Sequence, residues 1–293
     1  MTLPDLSDAV VLVTGGTSGV GRAAAERLGA AGATVVLTGR DPERGQAAAA
    51  AVADAGTGDA DIRLADFGDL EAVRDLAAGV RADYDRLDAL VNNAGCSTDR
   101  RRESAQGLEY TFAVNHLAHF LLAHRLADRL VASAPARVVT VASGVHTRGD
   151  LDLDAVKGPE PDYDALDAYA RSKLANVCFA LELADRLDDT GVASTALHPG
   201  FVPGSRIWRD AAWYVRAGVR LAGAVPGLGS TVAEAGARLA ALAADPAFDG
   251  VTGAYVDETE VAEPAPAAKD PDARARLWAW SAEHADVDPA LDV

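Results

Sequence analysis

The chain carries only two cysteines, Cys96 and Cys178, among 293 residues. Two thiols do not build a disulfide framework, and neither has a cysteine or histidine neighbour at metal-ligand spacing. No structural zinc or other metal is expected, and a reducing, cytoplasmic setting fits best. Basic residues are also scarce. Lys+Arg number 27 against 44 Asp+Glu, a net charge of −17, which argues against nucleic acid and anionic membrane as partners. Long apolar runs are missing as well. The opening stretch "MTLPDLSDAVVLVTGG" has no basic leader and its apolar run breaks at glycine, so neither a signal peptide nor a membrane anchor is expected.

What the chain does have is alternation. At 49% hydrophobic and 24% charged it is globular, and short apolar runs alternate with Ala-rich helical segments. Strands are expected at 9–14, 34–38, 61–65, 87–92, 136–142, 192–197 and 253–256. They are continuous in Val, Leu and Ala, the mark of strands buried on both faces. Helices are expected at 19–31, 41–55, 69–82, 104–132, 165–190, 229–244 and 271–284. The pattern predicts one α/β domain over 1–293, a doubly wound parallel sheet of seven strands flanked by helices. Two irregular stretches, 144–164 and 201–228, follow the C-terminal ends of predicted strands, the edge where such sheets bind ligands. The second is expected to form a lid, with Ile207, Trp208, Trp213 and Tyr214 either lining it or packing it.

"VTGGTSGVGR" (13–22) ends one strand and opens a helix. Glycines at 15, 19 and 21 allow a sharp turn and close approach to a pyrophosphate, with helix N–H groups facing the anion. The second strand then selects between cofactors. A dinucleotide lacking the 2′-phosphate is gripped by an acid at this strand's end. Here "VVLTGRD" places Gly39 there with Arg40 next, and a guanidinium suits a 2′-phosphate. NADP(H) is therefore expected over NAD(H). The plainer alternative makes Arg40 a surface residue paired with Asp41.

Tyr169 and Lys173 stand four apart in "YARSKLAN", one face of a helix. They are either a surface pair or a lysine that acidifies a phenol. Lowering a tyrosine from about 10 toward neutrality requires about 4 kcal/mol in favour of the phenolate.

Seven motifs occur in order: "TGGTSGVG" (14–21), "ADF" with Asp66, "NNAG" (92–95), "FAVNHLAHFLL" with Asn115, "VASG" with Ser143, "YARSKLAN", and "HPG" (198–200). With them the chain, from about residue 8 to 285, resembles the short-chain dehydrogenase/reductase family, and within it the retinol-dehydrogenase-like branch. The resemblance implies a Rossmann-type fold and interconversion of a carbonyl and an alcohol on a small, hydrophobic molecule. It implies a catalytic group of Asn115, Ser143, Tyr169 and Lys173. Tyr169 moves the proton, Lys173 lowers its pKa and bonds the nicotinamide ribose, Ser143 donates to the substrate oxygen, and Asn115 interrupts the long helix and holds a water beside Lys173.

Cofactor contacts are implied for Gly15, Thr17, Ser18, Gly19, Val20 and Gly21 in the loop, and for Arg40. They are implied too for Asp66 and Phe67 at the adenine, for Asn93, Ala94 and Gly95 beneath the adenosine, and for Pro199, Gly200 and Val202. Two departures stand out: Ala142 precedes Ser143 where many relatives have a second serine, and Gly204, followed by Ser205, replaces the usual threonine after "HPG". His146 either touches substrate or is an ordinary loop histidine. A homodimer is implied through the helices at 104–132 and 165–190, provided Leu122, Leu126, Val177 and Leu181 face outward and not the sheet. A silent NADP-binding sensor on the same fold is the alternative function; it predicts a damaged catalytic group.

Overall fold

The computed structural model describes residues 2–158, 163–205, 207, 219, 221, 223, 229–291 and 293. Its strands are β1 (Val10–Val13), β2 (Thr34–Gly39), β3 (Asp59–Leu64), β4 (Ala89–Asn92), β5 (Ala136–Val141), β6 (Val192–His198), β7 (Ala254–Asp257) and β8 (Glu260–Ala262). They form one sheet in the order β3-β2-β1-β4-β5-β6-β7-β8. β1 through β7 pair in parallel, and β8 pairs antiparallel to β7. The expected seven parallel strands are thus present, with an eighth added at the edge.

The eighth strand escaped the sequence because its hairpin lacks the usual turn residues. Asp257 pairs with Glu260, and Glu258 takes the left-handed conformation (φ 56°) that Gly or Asn normally supplies. No glycine or asparagine marks the turn.

Seven helices of a dozen residues or more flank the sheet among the described residues: α1 (Gly19–Ala30), α2 (Pro42–Ala55), α3 (Leu70–Asp83), α4 (Ala118–Ala132), α5 (Ala165–Arg186), α6 (Val232–Ala244) and α7 (Pro271–Ala285). Alternate strand residues feed two apolar clusters. Val11 and Val13 join Leu28 of α1, Val52 of α2 and Leu239 of α6 on one face. Val10 and Leu12 join Val73 of α3, Leu126 of α4, Leu174 of α5 and Leu277 of α7 on the other. A strand covered on both faces has no polar side, which explains the unbroken Val/Leu/Ala runs.

The helix expected over 104–132 starts later. Ser104 to Leu108 form a turn with Gly107 at φ 75°, and Glu103 and Glu109 make an isolated bridge. The buried Glu109 carboxylate then accepts from Thr111 N (2.8 Å) and Phe112 N (2.7 Å), starting the turn Tyr110–Phe112. A π-helical segment, Ala113–Leu117, follows and leads into α4.

The faces implied as a dimer interface are covered by this chain itself. Leu122, Leu126, Val177 and Leu181 are buried, and α7 lies across α4 and α5. Trp278 packs edge-on to Phe120 at 4.8 Å between ring centroids and stacks on Phe179 at 6.1 Å. Those four leucines and valines face inward, which removes them as a dimer surface. Among the described residues no helix is long and apolar enough to cross a membrane.

Candidate active site

Between β1 and β4 the strand order reverses, and a cleft of about 490 Å³ opens at the C-terminal ends of the strands. The Gly-rich turn from β1 to α1 forms one wall. Gly15 and Gly19 both have positive φ (64° and 57°). Gly21 is required for a different reason: a Cβ there would meet Asn93 Nδ2 at 2.3 Å and Gly15 O at 2.7 Å. The loop therefore closes directly onto the "NNAG" turn. α1 has no acidic residue in its first turn, and Ser18 makes no side-chain cap. Its first N–H groups are thus open to an anion at the positive end of the helix dipole. Loop and helix together fit a dinucleotide pyrophosphate.

The turn is braced from below by residues the sequence reading did not single out. The buried Thr14 hydroxyl accepts from Asn93 N (2.8 Å) and Ala94 N (2.9 Å) and lies 2.9 Å from His119 Nε2. His119 Nδ1 lies 3.0 Å from Asn115 O, an acceptor only, so Nδ1 carries the proton and Thr14 donates to Nε2. Asn93 Nδ2 also donates to Thr14 O at 2.8 Å. Thr14 sits inside a quoted motif, but its role depends on a histidine 105 residues away.

The cofactor residues named from sequence come together here. Gly15, Thr17, Ser18, Gly19, Val20 and Gly21 line the cleft with Arg40, Asp66 and Phe67. Asn93, Ala94 and Gly95, Tyr169 and Lys173, and Pro199, Gly200 and Val202 line it too. Asn115 does not. It is fully buried at the centre of the π segment, with Oδ1 accepting from Cys96 N (2.8 Å) and Nδ2 donating to Cys96 O (3.0 Å) and Ser172 Oγ (2.9 Å). Its side chain anchors the strand-end loop, and its carbonyl accepts from His119 Nδ1–H.

At the adenosine end, Gly39 leaves no room for an acid, since a Cβ would meet Thr17 Cγ2 at 2.5 Å. Arg40 is not the partner of Asp41. Asp41 caps α2 through Arg44 N (3.0 Å) and pairs with Arg44 Nε (2.7 Å), while Arg40 donates to Tyr110 Oη (3.2 Å) and lies 3.7 Å from Asp66. Arg44 joins Arg40 at the cleft. A basic residue one helical turn past the acid was the available signal.

At the other end Ser143 leaves β5, and Tyr169 lies in the first turns of α5, which Asp164 caps through Leu166 N (2.7 Å). The Ser143 hydroxyl hydrogen-bonds the Tyr169 phenol. Burial pushes that phenol up to about 12, with the Ser143 bond working against it. Lys173 is buried and donates to Val141 O at 2.8 Å, its Nζ 5.7 Å from the Tyr169 ring centroid. Burial pulls its pKa down to about 8. The expected acidification of Tyr169 by Lys173 is therefore corrected for the cleft as it stands: the ammonium is tied to a strand carbonyl, and desolvation of the phenolate dominates.

His146 is buried and does not touch the cleft. Its Nδ1–H donates to Ser143 O (2.8 Å) and its Nε2 accepts from Ala265 N (3.1 Å), so it holds the backbone of Ser143. After β6, Ser205 and Ile207 line the cleft, and Gly204 does not. His198 and Cys96, not anticipated, line it as well. Trp208, Trp213 and Tyr214 lie outside the described residues.

The short chain dehydrogenase family matches residues 9–212. Human retinol dehydrogenase 13 is 35% identical over 93% of this chain and 83% of its own. A Streptomyces protein named as a candidate daunorubicin C-13 ketoreductase, DnrU, is 39% identical over 93% of this chain and 91% of its own. Among solved structures, an uncharacterised protein from Mycobacterium paratuberculosis superposes with a TM-score of 0.78 at 28% identity, covering 99% of this chain and 97% of that one. Pseudomonas aeruginosa RhlG, solved with NADP, superposes with a TM-score of 0.71 at 26% identity over 88% of this chain and 98% of its own. This chain belongs to the short-chain dehydrogenase/reductase family, in its retinol-dehydrogenase-like branch, and is an oxidoreductase acting between alcohol and carbonyl.

Proposed function

We propose that the protein is an NADP(H)-dependent carbonyl reductase of apolar small molecules, with Tyr169 as general acid. The hydrogen-bonded Ser143–Tyr169 pair, beside Lys173 in the cleft, carries this reading. Bound NADPH would supply the hydride. Ser143 donates to the substrate carbonyl oxygen as negative charge builds on it, and Tyr169 delivers the proton that makes it a hydroxyl. A phenol pushed up to about 12 is protonated at neutral pH, the form reduction needs.

NADP is favoured by Arg40 at the cleft, by Arg44 beside it and by the absence of an acid at Gly39. Its presence in solved relatives, RhlG among them, agrees. Apolar substrates are favoured by Cys96, Val114, Phe201 and Ile207 around the cleft, and by relatives named for retinol, polyprenol and daunorubicin. A single catalytic domain is supported by one sheet covered on both faces; the expected lid, 201–228, lies largely outside the described residues. Two unpaired thiols suit a cytoplasmic setting. The silent-sensor alternative requires a damaged catalytic group, yet Ser143, Tyr169 and Lys173 stand together.

Loss of NADPH absorbance on an aldehyde and ketone panel tests the reading. Tyr169→Phe is expected to lower kcat by about 10²–10⁴-fold, the usual reach of a positioned acid. A Phe variant as active as wild type removes Tyr169 from the reaction. Equal affinity of wild type for NADPH and NADH removes the NADP preference.

A further inference from the structure

Arg40 is half exposed, with 53% of its side chain accessible, yet it is not left to wander. Its Nη1 donates to the Tyr110 hydroxyl at 3.2 Å, and the Asp66 carboxylate lies 3.7 Å away. Tyr110 is itself fixed. It opens the turn ahead of Asn115, is 9% exposed, and its ring packs so closely on Gly68 that a Cβ there would meet Cε2 at 2.6 Å. The Arg102 guanidinium lies 4.6 Å from the ring centroid.

We propose that Tyr110 is a positioning residue for cofactor choice: its hydroxyl holds the Arg40 guanidinium where a 2′-phosphate would be received. This inference rests on the NADP reading above. Its physical basis is preorganisation. A free arginine side chain loses rotamer entropy when ordered, and one already held loses less at the moment of binding. The holder's chemistry also matters. A carboxylate in the same place would neutralise the guanidinium, whereas a phenol oxygen accepts one N–H and leaves the positive charge and the other donors for the phosphate. Asp66 is farther off and half exposed, so it orients Arg40 weakly. Nothing in the family's motif pattern draws attention to Tyr110; its role follows from where the Gly68 turn and the late-starting helix bring it.

The test is calorimetric binding of two half-cofactors, 2′,5′-ADP and 5′-AMP, which probe the adenosine end alone. Tyr110→Phe keeps the ring in place and removes only the hydroxyl. It is expected to lower the ratio of 2′,5′-ADP to 5′-AMP affinity by about three- to tenfold, the scale of one hydrogen bond. Arg40→Ala is expected to lower it further, and adding Tyr110→Phe to Arg40→Ala to change it no more. An unchanged ratio in Tyr110→Phe, or a loss that simply adds to that of Arg40→Ala, overturns the role of Tyr110. An unchanged ratio in Arg40→Ala would instead overturn the NADP reading itself. Should Tyr110→Phe lower the melting temperature, Gly68→Ala, which presses a Cβ into the Tyr110 ring, gives the second measurement: a fall in the ratio supports the proposal and an unchanged ratio opposes it.

Discussion

At the scale of single residues, the cleft is built from contacts that tolerate no extra atom. Gly21 illustrates this. It was legible as part of a phosphate-binding loop, but its strictest constraint comes from Asn93, more than 70 residues away in sequence, whose amide would sit 2.3 Å from an added Cβ. Gly21→Ala must therefore push the loop off the "NNAG" turn. The expected result is at least a tenfold loss of NADPH affinity by calorimetry, about 1.4 kcal/mol, with the fold retained by circular dichroism. Unchanged affinity would mean that Asn93 yields, and that the two turns are not coupled. Asn115 teaches the converse. Its motif was readable, but its side-chain amide serves the Cys96 backbone, a partner that no spacing rule could name.

At the scale of elements, periodicity located the seven parallel strands and the helices that flank them, because buried strands and amphipathic helices differ in their apolar repeat. Boundaries strayed where side chains, not propensity, set the start: Glu109 begins its helix at 110, and Gly107 turns the chain before it. The crossing of α1 and α6 was not legible at all. Gly236 of α6 lies against α1, and a Cβ there would come within 2.5 Å of Ala23 Cβ and 2.9 Å of the Ala23 carbonyl carbon. α1 carries the anion-binding N–H groups at its start, so its placement depends on that close approach. Gly236→Val is expected to lower stability by about 1–3 kcal/mol in urea melts, the usual cost of overpacking, and to weaken NADPH binding with it. Loss of stability with cofactor affinity intact would show that α1 can shift without disturbing the loop.

At the scale of the whole molecule, two neutral histidines lie in the core between the sheet and the helices. Burial pulls His116 down to about 3 and His119 down to about 4. His116 bonds Ser281 of α7 through Nε2 (2.9 Å), and His119 bonds Thr14 and Asn115. Unfolded histidine takes its proton near 6.5, so below that pH the unfolded chain binds protons the folded one refuses. Stability is thus full above about 6.5 and falls as the pH drops toward 4. At pH 4.5 the loss is on the order of 3 kcal/mol per histidine, from about 1.4 kcal/mol per pH unit. Urea unfolding at pH 7, 6 and 5.5 should show the onset of this decline before carboxylates titrate. Stability that stays level across that range would mean the two rings accept protons in the folded state.

The sequence by itself determined the sheet's parallel strands, the phosphate loop and the Tyr–Lys helix, since each depends on local repeat, on glycine's freedom or on residues one turn apart. Tertiary structure alone decided what those residues meet. It set the lysine on a strand carbonyl and the phenol in a dry site beside Ser143, and it joined Thr14 to His119. It also spread the last helix over the faces thought free for a partner. Such contacts join chain segments tens to hundreds of residues apart, and desolvation, which governs the charges in the cleft, exists only once those segments close around them.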